Sequence, residues 1–182
     1  MTKEQIIVSK QRVRDFGEVF TPSHIVKRMC DLVQEQCYED SSSFFEPTCG
    51  IGNFLVEILS RKLHNIACDQ DTDEETHRRI LVALGSLYGC DIQEDNVSIC
   101  KERLRDMVVL FAKGVGVPLN VTLINIILDT NIRVANTLTD TVVFCKVEAN
   151  DMDNKIMLTF SSIDFNKGSS SVFLRTEHPI WK

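Results

Sequence analysis

The sequence predicts an α/β fold, a parallel sheet flanked by helices, with a β-rich C-terminal part. Three observations carry that reading. Up to residue 120, short apolar runs alternate with amphipathic helical patterns, the order that βαβ units require. Two of the short runs end on an acid, Glu46 and Asp91, which places polar groups at the edge of the sheet. Beyond residue 140 only β-rich runs joined by turn residues remain, and no helix of ordinary length fits between them.

The elements follow in order. Residues 1–20 read as an N-terminal arm. Thr21 as N-cap and Pro22 at the first helical position open a helix whose apolar stripe is Ile25, Val26, Met29, Leu32 and Val33. Ser43–Glu46 reads as a short buried strand, running into the turn Pro47–Gly52. A helix follows with Phe54, Leu55, Ile58 and Leu59 on one face. Thr72-Asp73-Glu74-Glu75 has the capping-box pattern and starts a helix that carries Ile80, Leu84 and Leu87 inward. Leu87–Asp91 reads as the next strand. Glu94 or Asp95 opens a helix with Val97, Cys100, Leu104, Met107, Val108 and Phe111 at helical spacing, and the loop around Gly114, Gly116 and Pro118 closes it. Thr141–Val147, Lys155–Phe160 and Ser171–Leu174 then form antiparallel strands or a meander, joined by EANDMDN and NKG turns. The serine runs at 41–43 and 169–171 read as short loops. All 182 residues are expected to form one domain: arm 1–20, α/β core 21–139 and β-rich extension 140–182.

Composition narrows the class. With 43% hydrophobic and 25% charged residues the chain is globular, not disordered. No apolar run reaches the ~20 residues of a membrane helix, and no apolar stretch follows the first basic residues, so neither a membrane segment nor a secretory signal is expected. Seven cysteines, an odd number with no CxxC, predict reduced thiols in a cytoplasm and argue against disulfides and zinc knuckles. Twenty Lys and Arg against twenty-six Asp and Glu leave a net charge of −6, a poor match by itself for non-specific nucleic-acid binding.

Three segments carry chemistry. In FFEPTCGIGNFL, residues 44–55, Gly50 and Gly52 permit a tight turn and close backbone approach between a strand ending at Glu46 and a helix. Free backbone N–H groups beside an open crevice suit a polar cofactor. In YGCDIQEDNVSICKERL, residues 88–104, Asp91 ends a strand, where an acid can accept two hydrogen bonds from ribose hydroxyls, and Ile92 beside it can cover a purine face. A cap on the following helix is the plainer role for Asp91. DFGEVFTP, residues 15–22, is by itself a helix entrance and becomes informative beside the other two.

Together the three segments resemble the N6-adenine DNA methyltransferases of bacterial restriction-modification systems. In that family a GEVFTP-type segment, a (D/E)PxCGxGxFL loop and a GxDIxxxxVxxxxxRL segment occur in this order, and the resemblance covers roughly residues 12–111. It implies a Rossmann-like S-adenosylmethionine-dependent methyltransferase core, here truncated, with S-adenosylmethionine as cofactor and a bacterial or phage cytoplasm as location. By this resemblance Thr21 and Pro22 lie over the methionine part of the cofactor. Glu46, Cys49, Gly50, Gly52 and Asn53 line its amino-acid end, and Phe20, Pro47, Thr48 and Phe54 also belong to the cofactor-binding set. Asp91 holds the ribose hydroxyls and Ile92 packs on the adenine. Asn136 stands where the family has an Asp that accepts from the adenine amine; its amide oxygen can still accept.

The family's catalytic loop, (D/N/S)PP(Y/F/W), is missing: the four prolines are Pro22, Pro47, Pro118 and Pro179, and none are adjacent. Glu177–Trp181 holds a Pro and an aromatic but lacks the second Pro and the amide. Two functions follow as expectations. One is the cofactor-binding part of a DNA adenine methyltransferase, meeting DNA only with a partner subunit or a further domain. The other is a non-enzymatic protein that binds the cofactor or a partner complex, with the C-terminal strands as the partner surface. No metal is expected. His24, His64, His77 and His178 have no ligand spacing and read as surface or helix-end residues; Asp69–Glu75 reads as a solvated loop and helix start. Lys3, Lys10, Arg12 and Arg14 read as a solvated lead-in.

Overall fold

A computed structural model describes residues 6–69, 71–149 and 155–181. Lys3 and residues 150–154 of the EANDMDN turn lie outside them. The N-terminal arm contains a helix that the sequence reading did not anticipate, α1 (Lys10–Phe16). The Ser9 side chain accepts from the Arg12 N–H, and Gly17, at φ 66°, ends the helix in the left-handed region. No residue of α1 is buried.

The next helix, α2 (Ser23–Asp31), starts later than expected. Pro22 is the N-cap and not the first helical residue, because its extended backbone leaves its carbonyl to accept from Ile25 and Val26 at 2.9 and 3.0 Å. Its apolar stripe also differs. Val26 and Cys30 are buried, whereas Met29, Leu32 and Val33 are exposed, since the chain breaks after Asp31 and restarts as α3 (Gln34–Tyr38) with Cys37 inward.

Three short strands form the parallel sheet, in the order β1-β2-β3: β1 (Phe44–Glu46), β2 (Leu87–Asp91) and β3 (Ile132–Val134). β1 is an edge strand with Phe45 44% exposed, so it is not buried as expected. Helices α4 (Asn53–Cys68), α5 (Asp73–Gly85) and α6 (Glu94–Val115) connect and cover the sheet. Thr72 caps α5 by accepting from the Glu75 N–H, as the capping box predicts. Leu87 belongs to β2 and not to α5, which stops at Gly85. Before β3 lies a helix absent from the sequence reading, α7 (Val121–Asn131), capped by the Asn120 side chain and burying Leu123, Ile124, Ile127 and Leu128. Its sequence, VTLINIILDTN, is rich in β-branched residues, and their inward packing overrides their weak helix propensity.

The C-terminal part is an antiparallel meander of β4 (Thr141–Ala149), β5 (Lys155–Asp164) and β6 (Ser169–Pro179). Ser169–Ser171 are paired with β5 and are not a loop. On β6, Phe160 opposes Leu174 and Ser161 opposes Val172, so Phe173 is an extra, bulged residue. The second sheet is not an appendage: Cys145, Val147, Ile156 and Leu158, with Ile180 just after β6, share one core cluster with α2 and α4–α7.

Two polar groups are built into the interior. Lys62 of α4 is fully buried, its three ammonium protons shared among the carbonyls of Glu39, Asp40 and Ser42 at 2.7, 3.0 and 2.7 Å and the Ser86 hydroxyl at 2.9 Å. Burial pulls its ammonium down to about 8. His77 also proves buried and not a surface residue, because Trp181 packs on its ring at 4.6 Å and its Nε2 accepts the Asn120 N–H at 3.1 Å. The Asp69–Glu75 run is likewise less solvated than expected. Asp69 and Asp71 each meet Arg79 at 2.6 Å, and Glu75 pairs with Arg78.

Candidate functional site

At the C-terminal edge of the parallel sheet the loops after all three strands enclose a cleft of about 490 Å³, closed on one side by residues 16–21. That edge is where α/β sheets place ligands, because helix N-termini and strand-end side chains converge there.

Glu46 ends β1. Burial raises its carboxyl above the ordinary range, partly offset by a hydrogen bond from the Thr48 backbone. The turn that follows is pinned to β2, since the Cys49 N–H donates to the Cys90 carbonyl at 2.7 Å. Gly50 and Gly52 have φ of 51° and 80°, and each also answers to space. A Cβ on Gly50 would lie 3.2 Å from the Phe20 ring, and one on Gly52 would lie 2.4 Å from the Cys100 sulfur. Gly52 therefore serves the packing of α4 on α6.

Asp91 ends β2 and is 9% exposed. Its Oδ2 accepts the Gly50 N–H at 2.9 Å; its Oδ1 accepts the Gln93 N–H at 2.9 Å and the Asn96 amide at 3.2 Å. One carboxylate thus ties the glycine turn, the start of α6 and the cleft floor together. A carboxylate has about four acceptor positions, and three donors leave room for one more. Ile92 beside it is 51% exposed. Asn53 is committed to the wall: its Nδ2 donates to the Thr21 carbonyl at 2.9 Å while its Oδ1 accepts from Arg103 at 2.8 Å. Asn136 folds back on its own loop, its Oδ1 accepting the Leu138 N–H at 3.0 Å and its N–H donating to Asp140 at 2.9 Å. Cys49 and Cys100 share a buried thiol pair, and the hydrogen bond between them together with burial raises the Cys49 thiol far above its ordinary range.

Of the residues singled out from sequence, Phe20, Thr21, Glu46, Pro47, Thr48, Cys49, Gly50, Asn53, Phe54, Asp91, Ile92 and Asn136 line this cleft, whereas Pro22 and Gly52 do not. The cleft also takes Phe16, Gly17, Glu18, Val19, Ile51, Gln93, Ala135, Thr137 and Leu138. Glu18 lies inside the DFGEVFTP segment, but no sequence signal marks it out from that segment, and its partner Arg12 reads as solvated in the sequence. The structure places Arg12 in ion pairs with Glu18 and Asp95, at 2.6 and 2.5 Å. Among the described lining residues there is no His, Lys or Arg, and the one thiol is held protonated. The cleft offers carboxylate acceptors, backbone donors and an apolar wall.

Among the described residues no group of three or more His, Cys, Asp or Glu could hold a metal ion, and no helix is long and apolar enough to cross a membrane.

Fold and cleft together give an α/β arrangement with a crevice at the sheet edge, a glycine turn after one strand and an acid after the next. Comparison with known proteins supplies the family. Residues 5–167 match the N-6 DNA methylase family, and the chain belongs to it. The match runs past the segments that carry the resemblance and takes in α7, the parallel sheet, β4 and β5, and it ends before β6. Among curated proteins, the adenine-specific methyltransferase PglX of Streptomyces coelicolor is 33% identical over 86 residues, 47% of this chain but 7% of that protein. No solved structure matches.

Proposed function

We propose that this chain is the S-adenosylmethionine-binding domain of a restriction-modification type DNA adenine-N6 methyltransferase, with a Rossmann-like core. Members of the family generally use that cofactor. The observation that carries the reading is the Asp91 carboxylate, which lines the cleft and is anchored by the Gly50 and Gln93 N–H groups at 2.9 Å. Its three protein donors leave one of about four acceptor positions, which a ribose hydroxyl suits. Ile92 supplies an apolar surface for adenine, and Glu46 faces the end where a cationic amino group gains from a carboxylate. Thr21 and Phe20 wall the methionine side, held there by Asn53.

When bound, the cofactor supplies an electrophilic methyl group on sulfur. The chain's part is alignment: acceptors and walls fix the donor so that an amine can approach in line. The acceptor half is not supplied by the segment that most resembles it. Pro179 is paired with Lys155 at the end of β6 and Trp181 packs on His77, so Glu177–Trp181 is absent from the cleft wall. A partner subunit or a further segment would bring the Pro-Pro loop and the DNA-reading surface. The reading places the protein in a bacterial or phage-infected cytoplasm.

A second reading is a non-enzymatic member that binds the cofactor or a partner complex to regulate it. It is favoured by β6, an edge strand with Val172, Phe173 and Leu174 exposed, which offers a surface to another protein.

Calorimetry with S-adenosylmethionine and S-adenosylhomocysteine tests the first claim. Binding is expected, and Asp91→Ala should weaken it by roughly 1.5–3 kcal/mol, the scale of hydrogen bonds to a charged group. No heat from either ligand at millimolar concentration removes the reading. Residues 1–182 alone should transfer no radiolabelled methyl to duplex DNA above a Gly50→Trp control. Flipping a paired adenine costs a few kcal/mol, and this chain, at net charge −6, offers little to offset it. Label transferred by the isolated chain would show that it holds its own acceptor site.

A further inference from the structure

The wall formed by residues 16–21 has little apolar anchorage. α1 buries no residue, and of the segment that follows only Phe20 is buried. What joins this strap to the body is polar. The Arg12 guanidinium meets the Glu18 carboxylate through Nε and Nη2, both at 2.6 Å, and the Asp95 carboxylate through Nη1 at 2.5 Å and Nη2 at 3.1 Å. Its planar fork reaches two carboxylates at once, one on the strap and one on the first turn of α6, 83 residues away in sequence. The Asp95 carboxyl is held below its ordinary range, first of all by that hydrogen bond.

The network continues inward. Glu18, with a side chain only 8% exposed, also accepts the Asn96 amide at 2.6 Å, and the same amide reaches Asp91 at 3.2 Å. Without Arg12, the Asn96 amide would be the neutral donor shared between the Glu18 and Asp91 carboxylates, and Glu18 would lose its countercharge while Asp91 kept the Gly50 and Gln93 N–H groups. Like charges would then press the strap outward and loosen the Asp91 carboxylate. We propose that Arg12 is a positioning residue for the cleft: by clasping Glu18 and Asp95 it fixes the strap as a wall and, through Asn96, sets the orientation of Asp91. The step to cofactor affinity rests on the function proposed above; the clasp itself does not.

Four variants of the full chain test it: Arg12→Ala, Arg12→Lys, Asp95→Asn and, as a control, Arg14→Ala, whose ion pair with Asp15 is solvent-exposed. Hydrogen exchange of amides 17–21 is measured without ligand, and S-adenosylhomocysteine binding by calorimetry and stopped flow. Arg12→Ala should speed strap exchange about tenfold and raise Kd about tenfold, mostly through faster dissociation, the scale seen when residues without ligand contact carry coupling. Arg12→Lys should restore part of both effects, since one ammonium cannot fork to two carboxylates. Arg14→Ala should change neither.

Unchanged strap exchange in Arg12→Ala overturns the clasp whether or not any ligand binds. Faster exchange with an unchanged Kd overturns the link to the cleft. If the wild-type chain binds neither ligand, the functional reading fails, and the exchange result still decides the clasp.

Discussion

Single residues in this chain do work that their type does not announce. Lys62 is a charged residue in the middle of an apolar helix face, yet its four acceptors make it the rivet that holds residues 39–42 against α4 and α5, directly before β1. His77 is similar. Its Nε2 accepts from the Asn120 backbone, so the neutral ring carries its proton on Nδ1, which is buried without a partner. Burial lowers its pKa from 6.5 to about 4. The sign follows from linkage. Between about pH 6.5 and 4 the unfolded chain binds a proton that the folded chain refuses, so stability falls as the pH falls through that window. The slope from this one group is at most about 1.4 kcal/mol per pH unit. Urea midpoints of the wild type and His77→Gln should therefore diverge on acidification, with the wild type losing more between pH 6.5 and 4.5. Parallel curves would mean that His77 charges freely in the folded state.

At the scale of elements, the glycine turn joins two demands at one position. Gly52 has φ 80° and begins α4 where α6 passes closest, with no room for a Cβ beside Cys100. Left-handed strain costs roughly 1–2 kcal/mol, and overpacking typically 1–3 more. Gly52→Ala should accordingly destabilise the chain by about 2–5 kcal/mol by urea unfolding; a loss under 0.5 kcal/mol would show that α6 retreats without cost. The same turn shows what the sequence makes legible. Gly50, Gly52, Glu46 and Asp91 stand in local patterns, strand then turn then helix, whose chemistry is written within a few residues. The helices α4, α5 and α6 were equally plain, because their apolar spacing is regular and Thr72 and Gly116 mark ends. α7 was not, since Leu123, Ile124, Ile127 and Leu128 sit among Val121, Thr122 and Ile126, residues that strands favour. α1 was invisible for the opposite reason: it buries nothing, so no apolar period betrays it. Arg12 reads as a solvated cation in the sequence because Asp95 is distant and Glu18, six residues on, falls outside the i+3 and i+4 spacings that mark a helical ion pair.

Across the whole molecule, the two sheets share one interior. The meander reads in sequence as an extension, yet its buried face completes the core beside α5 and α7. A second, smaller cluster of Cys90, Ala135, Val142 and Phe144 joins β4 to the end of β2 and to the loop after β3, which supplies the cleft with Asn136. The cleft floor is therefore braced by the meander. The polar hinge of that brace is Asn131, the last residue of α7, which is 1% exposed. Its Nδ2 donates to the carbonyls of Gly85 and Cys145 at 3.2 and 2.9 Å, and its Oδ1 accepts the Cys145 N–H at 2.8 Å. One amide thus links α5, α7 and β4. Asn131→Ala would leave one N–H and two carbonyls buried without these partners, at a cost of roughly 1–3 kcal/mol for each group that water cannot reach. A total near 3 kcal/mol is expected, because a small void at the truncated side chain can admit one water. The urea midpoint should fall while the slope m stays constant, since the surface exposed on unfolding is unchanged. Fluorescence of Trp181, which sits on α5, should follow the same curve as far-ultraviolet circular dichroism in both proteins. Two separate transitions in the wild type would mean that the meander folds by itself, and the cleft would then owe nothing to it.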